Sequence, residues 1–227
     1  MTSGSSGPAA RARLPTVILI SGRGSNMQVI ATRALGGELP VDIRAVVSDK
    51  PHAAGLTTAS RLGIPAVSLA PADFAHRTDY DAALAKLVAA YEPQLIVLAG
   101  FMRILTPNFI APFAGRILNI HPSLLPRHRG LHTHRRAIEA GDSIHGASVH
   151  FVTQELDGGP VIIQASVPVL PTDTEETLSA RVQRQEHRIY PQAIDWFAHG
   201  RLTLQNDLVF LDGRALQTPI LFEENGD

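Results

Sequence analysis

Short unbroken apolar runs alternate along this chain with segments whose apolar positions recur every three or four residues. Thr16-Val17-Ile18-Leu19-Ile20, the run Val41 to Val47, Ile64 to Leu69 and Gln94-Leu95-Ile96-Val97-Leu98-Ala99 read as strands, the last of them buried on both faces. Met27 to Leu35, closed by Gly36-Gly37, and His52 to Leu62, closed by Gly63, read as helices. Asp79 to Tyr91 is the clearest amphipathic helix, with Leu84, Leu87, Val88 and Tyr91 on one face. A short helix from Pro107 to Phe113 leads to a strand that ends at Asn119. Strands alternating with helices predict a mostly parallel sheet covered on both faces.

The pattern changes after Asn119. A loop rich in proline and histidine, His121 to His134, precedes a short helix ending at Gly141. Ser148 to Val152 and Val161 to Val167 read as strands, joined through the turn-prone Asp157-Gly158-Gly159-Pro160. They can pair as a hairpin and make the sheet mixed. Thr174 to Ala198 is a long helix with a threonine cap, acidic residues in its first turn, and a bend expected at Pro191. Arg201 to Arg214 reads as a small hairpin. The expected class is therefore α/β: a mostly parallel, mixed, twisted sheet of about seven strands with helices on both faces. Residues 1–14 are expected to be a disordered leader, 15–216 one domain, and 217–227 a loose tail. No internal repeat and no linker divides the chain.

Composition narrows the function. Apolar residues make up 44% and charged residues 18%, the balance of a soluble globular protein. The net charge of −1 gives no bulk attraction to nucleic acid or to an anionic membrane. The longest apolar run, Leu95 to Met102, is too short to span a bilayer. No signal peptide is visible, and the absence of cysteine excludes disulfides, thiol catalysis and Cys-based zinc sites, so a cytoplasmic home is expected.

Three segments carry chemistry. Asn119-Ile120-His121-Pro122 sets an amide and an imidazole two apart at a strand's end, where positions i and i+2 point to the same side. Pro122 stops the ladder, because it has no N–H to donate. An amide donor beside an imidazole suits acyl transfer: one stabilises a developing oxyanion, the other moves a proton. Ser21-Gly22-Arg23-Gly24-Ser25-Asn26 lies between the first strand and the first helix, where glycines let backbone N–H groups face an anion. It matches neither a Walker A loop nor the dinucleotide fingerprint, since no Gly-Lys-Ser/Thr follows and Met27 stands where the third glycine belongs. Asp157 sits in a Gly-rich turn that uses aspartate for local backbone bonds; if that turn folds over His121, the carboxylate favours the imidazolium. Gln183 and Glu186, three apart, share a helix face that reads as solvated. Histidines 121, 128, 132 and 134 lack the partners and spacing of a metal site, so no metal is expected.

Taken in order, six segments resemble the folate-dependent phosphoribosylglycinamide formyltransferase family of purine synthesis. They are Ser21 to Asn26, Val97 to Leu105, Asn119 to Pro126, His150 to Thr153, Glu155 to Pro160 and Gln185 to Pro191, and the resemblance runs in order from about Val17 to Arg201, nearly the whole ordered chain. The resemblance implies a Rossmann-like formyltransferase fold whose N-terminal half binds the nucleotide and whose C-terminal half binds folate and carries catalysis. It implies formyl transfer from 10-formyltetrahydrofolate, as cosubstrate, to the primary amine of glycinamide ribonucleotide. Asn119, His121 and Asp157 would then be catalytic. Gly24, Ser25 and Asn26 would hold the phosphate, with Gln183 and Glu186 beside phosphate and ribose. Arg77, Met102, Arg103, Ile104, Leu105, Asn119, Val152, Thr153, Gln154, Glu155, Leu156 and Asp157 would hold the folate. One departure is Arg23, at a position often asparagine in the family. The implied partners are these two small molecules, without nucleic acid or membrane, and the chain would act as a monomer or homodimer. The nearest alternative is formyltetrahydrofolate deformylase, a hydrolase with a similar site, although its regulatory segment has no counterpart before Thr16. Methionyl-tRNA formyltransferase shares the Ser-Leu-Leu-Pro signature but needs a C-terminal RNA-binding domain. A nucleotide-binding module without activity would not require Asn119, His121 and Asp157 together.

Overall fold

The computed structural model describes residues 12–223. The first part of the chain alternates β1 (Leu14–Ile20), α1 (Ser25–Leu35), β2 (Val41–Ser48), α2 (Ala54–Arg61), β3 (Ala66–Ser68), α3 (Arg77–Ala89) and β4 (Leu95–Leu98). Then come α4 (Pro107–Ile110), β5 (Ile117–His121), α5 (Thr133–Glu139), β6 (Ile144–Phe151), β7 (Val161–Pro168) and α6 (Glu175–Ala198). Four short strands close the described chain: β8 (Leu202–Gln205), β9 (Leu208–Leu211), β10 (Arg214–Ala215) and β11 (Ile220–Leu221).

The main sheet has eight strands in the order β11-β7-β6-β5-β4-β1-β2-β3, and β10-β9-β8 form a small separate sheet. From β5 to β3 all neighbours are parallel. β6 is antiparallel to both β5 and β7, so the expected hairpin forms and the sheet is mixed. The eighth strand corrects the expected count. It comes from the segment expected to be a loose tail: Ile220 and Leu221 pair with Ile163 and Gln164, and the Phe222 N–H donates to the Gln164 carbonyl at 2.7 Å. Three apolar residues in a row find the otherwise unpaired edge of β7, which satisfies that edge's backbone groups. At the other end Leu14, expected to close the leader, instead opens β1 opposite Val41. The rest of the leader up to residue 11, and the tail beyond 223, lie outside the described residues.

Alternation along β1 divides the core between the sheet's two faces. Val17 and Leu19 pack with Tyr80, Leu84 and Val88 of α3, and with Phe109. Ile18 and Ile20 pack with Met27 and Ile30 of α1 and with Val182, Ile189 and Tyr190 of α6. The predicted cap of α6 forms, as the Thr174 and Thr177 side chains each bond the other's backbone N–H. The helix runs through Pro191, and three residues separate its end from the first strand of the small sheet. Tyr190 is fully buried, and its hydroxyl lies 3.0 Å from the Leu98 carbonyl and 2.9 Å from the Leu118 carbonyl. It thereby ties the ends of β4 and β5 together.

The chain leaves β1 toward β2 and β3, then crosses back to place β4 on the other side of β1. In an open parallel sheet this reversal makes a crevice beyond the carboxyl ends of the strands, the usual place for a ligand. Here it gathers the loop after β1, the loop after β4 and the end of β5.

Candidate active site

The loop after β1 turns through Gly24, whose φ of 72° lies in the left-handed region. It lies close against α2: the Gly55 N–H donates to the Gly22 carbonyl at 3.0 Å, and a Cβ on Gly55 would come within 2.4 Å of Ile20. No side chain caps α1 and its first turn has no acidic residue, so its first N–H groups stay open to an anion. Helix α6 supports this loop from behind. The Asn26 amide donates to Glu186 Oε2 at 2.8 Å, and the Gln183 amide to Ser25 Oγ at 3.0 Å. Burial pushes the Glu186 carboxyl above the usual range, and the Asn26 amide opposes that shift. These side chains, with Ser21, Lys50, Met102 and Pro122, line a cavity of about 370 Å³. Lys50 supplies a cation there that the sequence reading missed, because a lone exposed lysine after a strand carries no pattern.

At the end of β5, His121 is nearly buried, at 6% exposure. Its Nε2 lies 3.0 Å from the His128 carbonyl and its Nδ1 lies 3.5 Å from Asp157 Oδ2. A carbonyl can only accept, so Nε2 donates to His128, and the Asp157 carboxyl group faces the other ring nitrogen. Asp157 comes from the turn between β6 and β7, at a φ of 48° that aspartate tolerates better than most residues. The Gly130 N–H donates to its Oδ2 at 2.9 Å. The turn passes so close to β6 that a Cβ on Gly159 would sit 1.9 Å from the Phe151 carbonyl oxygen.

Asn119 faces His150 directly across the β5–β6 pair. The His150 Nδ1–H donates to the Phe151 carbonyl at 2.8 Å, which leaves Nε2 to accept from the Asn119 amide at 3.1 Å. Burial pushes the His150 imidazole down to about 4, with smaller opposing effects from the Phe151 bond and the Asp157 charge. Neutral His150 therefore fixes which end of the Asn119 amide turns inward, and the second N–H of that amide remains for a ligand. The sequence reading missed His150. Its only trace in the sequence is that Ser148 and His150 put two polar positions on one side of a strand, which does not mark either as functional.

Asn119, His121 and Asp157 all line a second cavity of about 370 Å³, bounded by Gly100 to Ile104 and by Gly130 to His134. Its rim carries large apolar side chains left open to solvent: Met102 at 65%, Ile104 at 51%, Leu131 at 65% and Leu156 at 46% exposure. An exposed apolar ring around a few convergent polar groups marks a site for an organic ligand. A narrower recess of about 80 Å³ continues from it, lined by Arg103, Ile104, Leu105, Asn119 and the whole turn from Val152 to Asp157. Of the sequence-predicted residues, Arg77 stands apart. It lines none of these three cavities, and its guanidinium donates to the Ile104 carbonyl. Among the described residues no three potential metal ligands gather to hold an ion, and no helix is long and apolar enough to cross a membrane.

Comparison with known proteins finds a family and close relatives. The sequence profile of the formyl transferase family matches residues 14–194. The chain is 53% identical over 200 residues to the phosphoribosylglycinamide formyltransferase of Escherichia coli K12, covering 88% of this chain and 94% of that one. It is 48% identical over 199 residues to the enzyme of the same name from Haemophilus influenzae, at 88% and 94% coverage. The solved structure of the phosphoribosylglycinamide formyltransferase from Coxiella burnetii, in complex with CHES, superposes with a TM-score of 0.89. That match has 48% identity and covers 93% of this chain and all of that one, 100%.

Proposed function

The chain belongs to the formyl transferase family, and on that premise we propose that it transfers a formyl group from 10-formyltetrahydrofolate to the primary amine of glycinamide ribonucleotide. The products are formylglycinamide ribonucleotide and tetrahydrofolate, in the synthesis of purines. The observation that carries this reading is the convergence of Asn119, His121 and Asp157 on a cavity that shares Met102 and Pro122 with the anion-binding one.

In this reading residues 15–216 work as one formyltransferase domain. The nucleotide phosphate sits on the N–H groups of Gly24, Ser25 and Asn26, with Gln183 and Glu186 beside phosphate and ribose. The folate ring system enters the recess between Met102–Leu105 and Val152–Asp157, and Arg77 stands toward its tail. The amine nitrogen attacks the formyl carbon, and the C=O electron pair moves onto oxygen. The Asn119 amide and the His121 imidazolium stabilise that oxyanion, while Asp157 keeps the ring charged and oriented. A proton leaves the attacking nitrogen and one reaches the folate nitrogen; the pair on oxygen then re-forms the C=O bond as the bond from the folate nitrogen to the formyl carbon breaks. No metal and no covalent enzyme intermediate enters these steps. Much of the acceleration comes from holding two substrates in line. The chain works as a monomer or homodimer in this reading. We place the reaction in the cytoplasm, with diffusible small-molecule substrates.

The hydrolase alternative is not favoured, because the relatives named above are transferases. Folate product absorbance, followed with and without glycinamide ribonucleotide, tests the reading. Release that depends on the ribonucleotide supports transfer. Release without it supports hydrolysis, and no release in either case removes the proposed activity.

A further inference from the structure

Ser21 stands at the junction of the two substrate cavities, and its bonds run toward the opposite side from its sequence neighbours. It follows the last residue of β1 and opens the glycine loop, at 3% exposure. Its N–H donates to the Gly100 carbonyl at 3.1 Å. Its Oγ accepts from the Met102 N–H at 2.8 Å. Both partners belong to the segment after β4, where Gly100 turns the chain at a φ of 78°. One side chain and one backbone group therefore staple the loop after β1 to the loop after β4.

The two loops need this staple unequally. The anion-facing groups of the first loop lie further on, at Gly24 to Asn26, and are held by α6 through Gln183 and Glu186. The second loop has less support. Phe101 and Leu105 are buried in the core and Arg103 lies over the Tyr80 ring, but the cavity-facing Met102 and Ile104 leave their apolar side chains largely exposed, so packing holds the segment from one side only. On the cavity side its hydrogen bonds set its position. They are the two from Ser21, one from Arg77 to the Ile104 carbonyl, and one from the Thr106 N–H to Asp81.

Given the assignment of the recess beside Met102–Leu105 to folate, which rests on the function proposed above, we infer that Ser21 is a positioning residue for the folate. It lies within the nucleotide loop, yet its hydroxyl fixes the wall against which the other substrate binds. Removing one acceptor from a partly buried N–H costs about a factor of ten in the affinity that depends on its position.

The test is steady-state kinetics on Ser21→Ala with both substrates varied. The expected result is a KM for 10-formyltetrahydrofolate raised about tenfold, with the KM for glycinamide ribonucleotide within about twofold and kcat within about threefold of wild type. Ser21→Thr keeps the hydroxyl and should bring the folate KM back to within about threefold. Amide hydrogen exchange, measured without substrates, should show the Met102 N–H exchanging faster in Ser21→Ala and protected in wild type. An unchanged folate KM, an equal rise in both KM values, or a Met102 amide equally protected in both proteins would overturn the inference. A wild-type protein with no acceptor-dependent transfer would instead overturn the proposed function, while the Met102 amide still reports on the staple.

Discussion

Replacing Asp157 by asparagine removes a charge from the site and leaves most of its shape in place. An asparagine oxygen can still accept the Gly130 N–H that now meets Oδ2 at 2.9 Å. Asparagine also tolerates the positive φ of 48° at this position, so the turn should fold as before. The carboxylate lies 3.5 Å from His121 Nδ1. At an effective dielectric of roughly 20, unit charges at that distance attract by about 5 kcal/mol. The amide dipole and water in the open cavity recover part of this, leaving about 3–4 kcal/mol of lost support for the imidazolium in the transition state. At 1.36 kcal/mol per factor of ten, kcat should fall by roughly 10²–10³-fold. Both KM values should stay within about threefold, because neither cavity changes shape. The assay is acceptor-dependent folate release at saturating substrates, with thermal unfolding as a check on the fold. A folded Asp157→Asn enzyme that keeps kcat within about fivefold of wild type would refute the claim that the carboxylate acts by holding the ring charged.

Three further expectations follow from the geometry. Tyr190→Phe leaves the Leu98 and Leu118 carbonyls without their buried donor, so urea unfolding should show a loss of about 1–3 kcal/mol. Gly159→Ala drives a methyl group to 1.9 Å from the Phe151 carbonyl; the turn carrying Asp157 must shift, and kcat should drop at least about tenfold, even where the protein stays folded at assay temperature. Burial lowers the His145 and His150 imidazoles to about 4 and moves those of His134 and His187 in the same direction. The unfolded chain then binds more protons than the folded one between about 6.5 and 4, so stability should fall as pH falls through that window. The buried Glu186 carboxyl, shifted upward, works the other way. His150 alone should cost roughly 2 kcal/mol at pH 5, and urea midpoints that stay level between pH 7 and pH 5 would contradict this.

Local pattern was enough for some of this and could not reach the rest. The alternation of strands and helices, the glycine loop before α1 and the shared side of Asn119 and His121 depend on residues near one another in the chain. Periodicity and turn chemistry record such relations directly. The contact of Asp157 with His121 depends on where a turn folds after two strands have paired, and nothing near Asp157 records that. Glu186 and Asn26 are 160 residues apart, and on its own helix Glu186 looked like part of a solvated face. His150 looked like an ordinary strand residue until its cross-strand neighbour was known to be Asn119. Strand β11 is two residues long, too short for any period to show. It forms because an edge was available.

The His128 carbonyl, 3.0 Å from His121 Nε2, comes from the loop after β5, while Asp157 on the far side of the ring comes from the turn after β6. Two segments that share no strand thus clamp one imidazole. A ligand group that needs Nε2 has to take that bond from the carbonyl, and the free energy tying the carbonyl down is then subtracted from the ligand's own. Binding strength at this point is therefore set partly by a loop that performs none of the chemistry.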